Sequence, residues 1–251
     1  MHEGFFFGPA GRQIFASYHP PAGGAGRILT VICPPLFSEY QRTHLALREL
    51  ALALAQAGQH VLRFDYLGTG DSYGELDQVS ATDWIEDVAL AVREAREISA
   101  SGVLRLLGVR AGALLACSSM GASGDVQRVV LWDPVADGAA YLRALRGEQA
   151  AVCARNVHLG HVERREARRE YAGYTLSDRM VAQLGSLGAD IYSNVPAGIL
   201  HVVGTSPHAG LPRYGVPWDV AGFRCDWGAL SSKLIVPRPA LERLVQCLTQ
   251  S

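Results

Sequence analysis

Short runs of apolar, often β-branched residues alternate along this chain with stretches whose apolar residues recur at helical spacing. A short apolar run that ends at glycine or proline is typical of a buried strand, whereas a spacing of three and four residues predicts an amphipathic helix. Strands are predicted within residues 27–35, 60–72, 103–109, 126–135 and 198–206. Helices are predicted at residues 43–58, 80–98, 111–120 and 238–250. This alternation across short connections predicts an α/β fold with a mostly parallel sheet flanked by helices.

Local signals refine the ends of these elements. The opening stretch FFFGPAGRQIFASYHP predicts a hairpin with GPAG as its turn, which adds antiparallel strands at one edge of the sheet. The helix at 43–58 is expected to stop at Gly58. The helix at 80–98 has Ser80 or Thr82 as its candidate N-cap, ahead of acidic residues in the first turn.

One segment, residues 137–190, breaks the alternation and shows no strand pattern. It contains the charged run HVERREARREYAGY, and within 141–180 arginines outnumber acidic residues by eight to five, with His158 and His161 nearby. The segment predicts a helical, lid-like insertion within a single domain spanning residues 1–251. Two interpretations stay open: a solvated helix face with ion pairs four residues apart, or a lid whose basic face meets an anionic ligand.

Composition narrows the class of protein. Hydrophobic residues make up 49% of the 251 residues and the formal net charge is −1, which predicts a globular protein and gives no reason to expect nucleic acid or an acidic membrane as a partner. The five cysteines form no C-x-x-C pair, so neither a disulfide framework nor a metal site is expected. With no signal-peptide pattern and no apolar run of membrane-spanning length, the expected location is the cytoplasm.

Three motifs resemble the α/β-hydrolase superfamily. RFDYLGTGDSYG (63–74) is similar to the loop after the fourth strand in serine aminopeptidase-type hydrolases, and CPPLFSEYQR (33–42) is similar to the third-strand loop of exosortase-associated hydrolases. LLGVRAG (106–112) stands where that fold has its G-x-S-x-G nucleophile elbow. The resemblance covers residues 1–136 and 198–250. It implies the α/β-hydrolase fold, hydrolysis by a catalytic triad, and a bacterial biosynthetic or export setting.

The residues at the triad positions depart from that pattern. Arg110 occupies the nucleophile position, and a guanidinium can be neither nucleophile nor general base near neutral pH. The triad histidine should follow the last strand, but no histidine lies beyond His208. Only Asp133, at the end of the sixth predicted strand, stands in a position that can supply the acid. The sequence therefore predicts a pseudo-hydrolase with no catalytic residues.

The alternative is an esterase, thioesterase or peptidase with a relocated nucleophile. Ser38 and Ser72 lie in loops expected to face the pocket, and His208 follows the seventh predicted strand. Nothing in the sequence near either serine activates it, and a loop serine is usually a turn or cap residue. His44 is expected on a helix surface.

Two roles are open for Arg110 if it is not catalytic. It could form an ion pair with Asp133 and close the site that is catalytic in the hydrolases. Alternatively, it could donate two hydrogen bonds to a carboxylate or phosphate of a ligand, assisted by the backbone N–H groups of Ala111 and Gly112. A side chain turned into solvent is the third possibility. Phe37, Tyr66 and further aromatic residues (Tyr40, Tyr73 and Trp132) would then either pack in the core or line a groove.

These observations predict a non-catalytic binding or accessory protein that recognises a peptide or a small acidic molecule. The predicted ligand-binding residues are Phe37, Ser38, Tyr66, Arg110, Ala111 and Asp133. No cofactor is expected, and a partner enzyme or a homodimer is possible. A scaffold without a pocket, which dimerises through its sheet edge or its insertion, is a third class.

Overall fold

The computed structural model describes residues 3–24, 26–155, 170–204, 216–219, 225–228 and 233–250. The strands are β1 (Glu3–Phe7), β2 (Ile14–His19), β3 (Ile28–Cys33), β4 (His60–Phe64), β5 (Val103–Val109), β6 (Val126–Trp132), β7 (Glu170–Tyr171), β8 (Tyr174–Thr175), β9 (Leu200–Gly204) and β10 (Val216–Asp219). The α-helices are α1 (Phe37–Gln56), α2 (Ala81–Ser99), α3 (Gly112–Ser118), α4 (Met120–Ser123), α5 (Gly138–Arg155), α6 (Asp178–Ser186), α7 (Asp190–Ser193) and α8 (Arg238–Thr249).

Eight strands form one sheet in the order β1-β2-β4-β3-β5-β6-β9-β10. The pairs β1–β2 and β2–β4 are antiparallel, and every pair from β4 to β10 is parallel. The predicted opening hairpin and the predicted parallel sheet are both confirmed, and the architecture is that of the α/β-hydrolase fold. The edge strand β10 was not predicted, because its short sequence VPWD contains a proline and no apolar run.

The sheet is buried on both faces, which explains why its central strands are apolar without alternation. In β5, Leu106 belongs to one core layer, under α2 and α3, while Leu107 belongs to the other, under α1 and α8. Successive residues of a strand point to opposite faces, so a run such as LLGV supplies both layers. Trp84 on α2 and Trp132 on β6 are the largest fully buried side chains, one in each layer.

The helix ends follow local chemistry where that chemistry is strong. Ser80 caps α2 in a capping box with Asp83, as one of the two candidates predicted. Gly58 has a φ of +84° just after α1 ends. The start of α1 was predicted six residues too late, because Phe37 begins the helix with a φ of +56°, after Pro34, Pro35 and the N-cap residue Leu36. That earlier start brings Ser38, Glu39 and Tyr40 onto the first helical turn.

The segment 137–190 contains the helices α5 and α6 and ends at the first residue of α7. Its residues 156–169 lie outside the described residues, together with His158, His161 and most of the charged run. The expectation of no strand there was wrong in detail. Two-residue strands β7 and β8 pair antiparallel around Ala172 and Gly173, which have φ values of +51° and +87°. Whether the segment acts as a lid stays a prediction.

A buried hydrogen-bond chain ties α8 to the sheet. Thr30 of β3 donates to Oε1 of Gln59 at 2.7 Å, and the Gln59 amide donates to the carbonyl of Leu248. Replacing Gln59 by leucine leaves the buried Thr30 hydroxyl without this acceptor, so we expect the free energy of unfolding to fall by about 1–3 kcal/mol in chemical denaturation. The double variant Thr30→Val, Gln59→Leu should recover much of the loss; a double variant no more stable than Gln59→Leu would contradict this account.

Candidate functional site

The turn between β5 and α3 has the backbone geometry of a nucleophile elbow. Arg110 occupies its tip with a φ of +53°, a conformation that non-glycine residues rarely adopt. A Cβ atom on Gly108 would lie 2.5 Å from Cα of Ala113, and one on Gly112 would lie 2.2 Å from the carbonyl oxygen of Pro34. Glycine is therefore required on both sides of Arg110, as in the strand–turn–helix motif that presents a catalytic serine.

The guanidinium of Arg110 is held by three groups. Its Nε donates to Oε1 of Glu39 at 2.9 Å in an ion pair, and Nη1 donates to the backbone carbonyl of Asp133 at 3.0 Å. The guanidinium carbon lies 5.0 Å from the ring centroid of Trp227. The expected ion pair with the Asp133 carboxylate is thus corrected: the anion is Glu39, while the Asp133 carboxylate accepts from Nε1 of Trp227 at 2.9 Å.

Glu39 reaches this position because α1 begins at Phe37, which turns the first helical turn toward the elbow. The residue is 4% exposed, and its second oxygen accepts from the Tyr141 hydroxyl on α5 at 3.2 Å. Burial raises the pKa of Glu39, against the opposing influence of Arg110. Burial alone lowers the pKa of Arg110, but the Glu39 carboxylate outweighs it and the net shift is upward, so the arginine stays charged.

A small cavity of about 100 Å³ lies beside this ion pair. It is lined by Ser38, Glu39, Arg110, Tyr141, Ala144, Leu145, Glu148, Trp227 and Gly228. The Ser38 Oγ is buried here and has no hydrogen-bond partner among the described residues. With Arg110 in place, the space at the elbow suits a few waters or one small group rather than an extended substrate.

A larger cavity of about 540 Å³ lies on the other side of the loop that joins β3 to α1. Its lining comes from that loop, from the first two turns of α1, from the connection between β4 and α2, from α2 and from β8. The lining residues are Pro34, Pro35, Leu36, Phe37, Tyr40, Gln41, His44, Asp65, Tyr66, Gly68, Thr69, Gly70, Asp71, Leu76, Trp84 and Tyr174. This volume is in the range of small-molecule binding sites.

The six predicted ligand-binding residues do not share one cavity. Phe37 and Tyr66 line the larger cavity, whereas Ser38 and Arg110 line the smaller one. Ala111 and Asp133 are 0% and 1% exposed and line neither, and their role as ligand contacts stays a prediction. Of the further aromatic candidates, Tyr40 lines the larger cavity, Tyr73 is exposed and Trp132 packs against Trp227.

Sequence reasoning missed four residues that complete these sites: Glu39, Tyr141, Trp227 and Trp84. Glu39 lies in the quoted CPPLFSEYQR motif, and a helix start at Phe37 would have pointed its carboxylate at the elbow. Tyr141 and Trp227 come from segments that matched no motif. Their proximity to Arg110 depends on long-range packing that no local pattern encodes.

Ser72 and His44, two of the residues considered for a relocated catalytic site, make hydrogen bonds within the protein. The Ser72 Oγ donates to the Asp65 carbonyl at 2.7 Å and accepts from the Phe15 backbone N–H at 2.9 Å, which is a structural role. His44 is exposed, with Nδ1 2.7 Å from the Gln41 carbonyl of its own helix. His208 lies outside the described residues.

The cysteines near the elbow are not activated nucleophiles. Burial raises the pKa of the Cys117 thiol to about 12, and it raises that of Cys33 further still. A reactive cysteine needs the opposite, a lowered pKa and access to solvent. Among the described residues no group of three or more histidine, cysteine, aspartate or glutamate side chains could hold a metal ion. No helix in the same part of the chain has the length and apolar character needed to cross a membrane.

The family model described as "Serine aminopeptidase, S33" (Hydrolase_4) matches residues 37–179, which is more than half of the chain. The chain belongs to this family. No curated protein sequence matches it at a significant level.

Solved structures share its fold across nearly the whole chain. A hypothetical protein from Pseudomonas aeruginosa is 16% identical, with a TM-score of 0.62 over 99% of this chain and 92% of that one. A carboxyl esterase from Bacillus coagulans is 12% identical, with a TM-score of 0.62 over 98% and 97%. A serine hydrolase without a lid from Xanthomonas campestris is 17% identical, with a TM-score of 0.58 over 98% and 94%. Identities this low establish a shared fold only, and most of the named relatives are hydrolases.

Proposed function

We propose that this member of the serine aminopeptidase family does not hydrolyse its ligand and serves as a binding or accessory component. The observation that carries the proposal is the residue at the tip of the elbow and its contacts. The tip residue is an arginine whose guanidinium is already engaged by the Glu39 carboxylate, the Asp133 carbonyl and the Trp227 ring. A group that lacks an acceptor atom cannot attack a carbonyl, and its three contacts hold it where the nucleophile would stand.

In this proposal Arg110 acts as a structural clamp: its guanidinium binds Glu39 within the protein rather than an anionic group of a ligand. Glu39 sits between Arg110 and Tyr141, so the ion pair connects the elbow to α5 of the insertion. Tyr141 in turn stacks on Phe37, with ring centroids 6.3 Å apart and planes at 12°. Phe37 lines the larger cavity, so a contact made at the old catalytic position supports the wall of a separate binding site.

A second candidate function, hydrolysis with a relocated nucleophile, is favoured by one observation. The Ser38 Oγ is buried beside Arg110 and has no partner among the described residues, so its hydroxyl is available to a group in the small cavity. No general base within the described part of the chain is bonded to it, and activation of a serine requires such a base. A single experiment separates the two candidates.

The test is turnover of p-nitrophenyl esters and acyl thioesters, together with labelling by a fluorophosphonate, which reacts with activated serines. We expect no rate above background and no label, with a serine esterase of the same fold as positive control. The double variant Arg110→Ser, Glu39→Gln should also stay inactive, because no histidine follows His208 in the chain. The second substitution avoids a buried unpaired carboxylate, and circular dichroism checks that the variant is folded.

Turnover of an ester or thioester would contradict the proposal. A robust rate that disappears in Ser38→Ala would overturn the proposal in favour of a relocated nucleophile. Ser101→Ala is the matched control, because Ser101 is a partly exposed serine two residues before β5 and lines neither cavity. A gain of esterase activity in the double variant would show that the missing base is supplied by a residue elsewhere in the chain.

A further inference from the structure

The larger cavity has an aromatic lining of connected rings. Phe37 lies 6.0 Å from Trp84 and 5.1 Å from Tyr174, and Tyr66 lies 5.5 Å from Trp84, all between ring centroids. Trp84 and Tyr66 are almost fully buried and form the inner side, while Tyr174 is partly exposed. Aromatic walls of this kind accept a flat or extended apolar body, and ring faces also attract a cation.

Two carboxylates stand on the same lining. Asp65 follows β4 and is 6% exposed; it accepts from the Tyr40 hydroxyl at 2.5 Å and from the Asp71 backbone N–H at 3.0 Å. Asp71 is exposed on the loop that wraps Asp65. Burial raises the pKa of Asp65, and repulsion from Asp71 adds to the rise, so the two side chains are close enough to interact.

The described lining contains no arginine or lysine. The charge of Arg63 acts on Asp65 and partly opposes the rise in its pKa, but Arg63 is not a lining residue, and its Nη1 donates to the His44 carbonyl at 3.5 Å. Arg110, the group that could bind an acid, faces the other cavity. An anionic ligand in the larger cavity would therefore meet two carboxylates and no arginine or lysine of the described lining.

From this lining we infer that the larger cavity binds a small cationic amine with an aromatic or aliphatic body. The body lies against Phe37 and Tyr174, and the ammonium group is directed to the edge formed by Asp65 and Asp71. This ligand class rests on the proposed function in so far as the protein binds its ligand without hydrolysing it. The peptide or small acidic ligand expected from the sequence stays a prediction, whereas the lining of this cavity favours an amine.

Isothermal titration with three ligands that share one body tests the inference: tryptamine, tryptophol and indole-3-acetate. We expect the amine to bind about tenfold or more tightly than the alcohol, and the carboxylate to bind most weakly, with the preference for the amine reduced in high salt. Asp71→Asn should weaken tryptamine binding about fivefold to tenfold and leave tryptophol unchanged. Asp77→Asn is the matched control, because Asp77 is exposed in the same connection between β4 and α2, in the 3-10 helix Leu76–Gln78, but does not line the cavity.

Three other results would overturn the inferred ligand class. If indole-3-acetate binds most tightly, or if none of the three ligands binds, the ligand class is wrong. Equal loss of tryptamine and tryptophol affinity in Asp71→Asn would also overturn it, since a charge contact predicts a selective loss. The proposed function fails separately, through ester or thioester turnover, so the two conclusions can be distinguished.

Discussion

The variant Glu39→Gln is expected to lower the free energy of unfolding by about 3 kcal/mol, because it leaves the mostly buried Arg110 guanidinium without its counter-charge. The side chain of Arg110 is 20% exposed, so water offsets part of the cost and the effect should fall at the lower end of the range for broken buried ion pairs. Urea denaturation with two-state fitting measures it. Glu49→Gln, an exposed glutamate on the same helix, is the matched control and should change stability by less than about 0.5 kcal/mol.

A second substitution identifies the cause. If the loss comes from an unpaired buried charge, adding Arg110→Met to Glu39→Gln should restore most of the stability, because the cation is removed along with its partner. If the loss comes from the Tyr141 contact alone, the double variant should be no more stable than Glu39→Gln. A change of less than about 0.5 kcal/mol in Glu39→Gln itself would contradict the clamp assigned to Arg110.

Much of the fold could be predicted because it is encoded locally. The apolar runs of β3, β5 and β6, the serine cap of α2 and the glycine after α1 act over a few residues each. The elbow could be predicted too, since Gly108 and Gly112 are required by contacts of less than 3 Å within one turn and its adjoining loop. Sequence patterns at this range are set by backbone geometry and burial.

The candidate site was only half predictable, since its members come from distant parts of the chain. Arg110 was singled out from the sequence and lies at the tip of the elbow, but its partner was expected on a neighbouring strand and proved to be Glu39 on α1. A β-strand neighbour can be inferred from topology, whereas the direction of a helix's first turn depends on where that helix begins. An error of six residues at the start of α1 hid the partner.

The choice of ligand class illustrates the same limit. Arg110 at the elbow suggested an acidic ligand, which stays a prediction, and the charge of a side chain acts on a ligand only in the cavity that the side chain faces. Arg110 is turned toward Glu39, and the described lining of the larger cavity contains two carboxylates, Asp65 and Asp71, but no arginine or lysine. The sequence lists which groups exist, and only the packing of the β3–α1 and β4 loops decides which of them share a cavity.

A second buried carboxylate, Asp87 of α2, should make the protein less stable as the pH rises. Its side chain is 0% exposed; it accepts from the Leu67 backbone N–H at 2.8 Å and from Nη2 of Arg12 at 2.9 Å. Burial outweighs these contacts and raises the pKa of Asp87 from 3.8 to about 6. A folded pKa above the unfolded value means that this group's stabilisation is complete below about pH 4 and is lost as the pH rises through about 6.

Comparing Asp87→Asn with the wild type isolates this effect, because all other titrating groups are common to both proteins. Between pH 4 and 7 the free energy of unfolding of the wild type should fall relative to that of the variant by about 2–3 kcal/mol, at roughly 1.4 kcal/mol per pKa unit. Arg12 keeps Asp83 and Glu86 as partners in the variant, at 3.1 and 3.2 Å. Glu97→Gln, at an exposed carboxylate on the same helix, is the matched control. If instead the wild type became more stable relative to Asp87→Asn as the pH rises, the expected sign would be wrong. That result would mean that Arg12 and the Leu67 N–H stabilise the ionised Asp87 carboxylate by more than its burial costs. The charged form of Asp87 would then stabilise the loop after β4 more than the neutral form does.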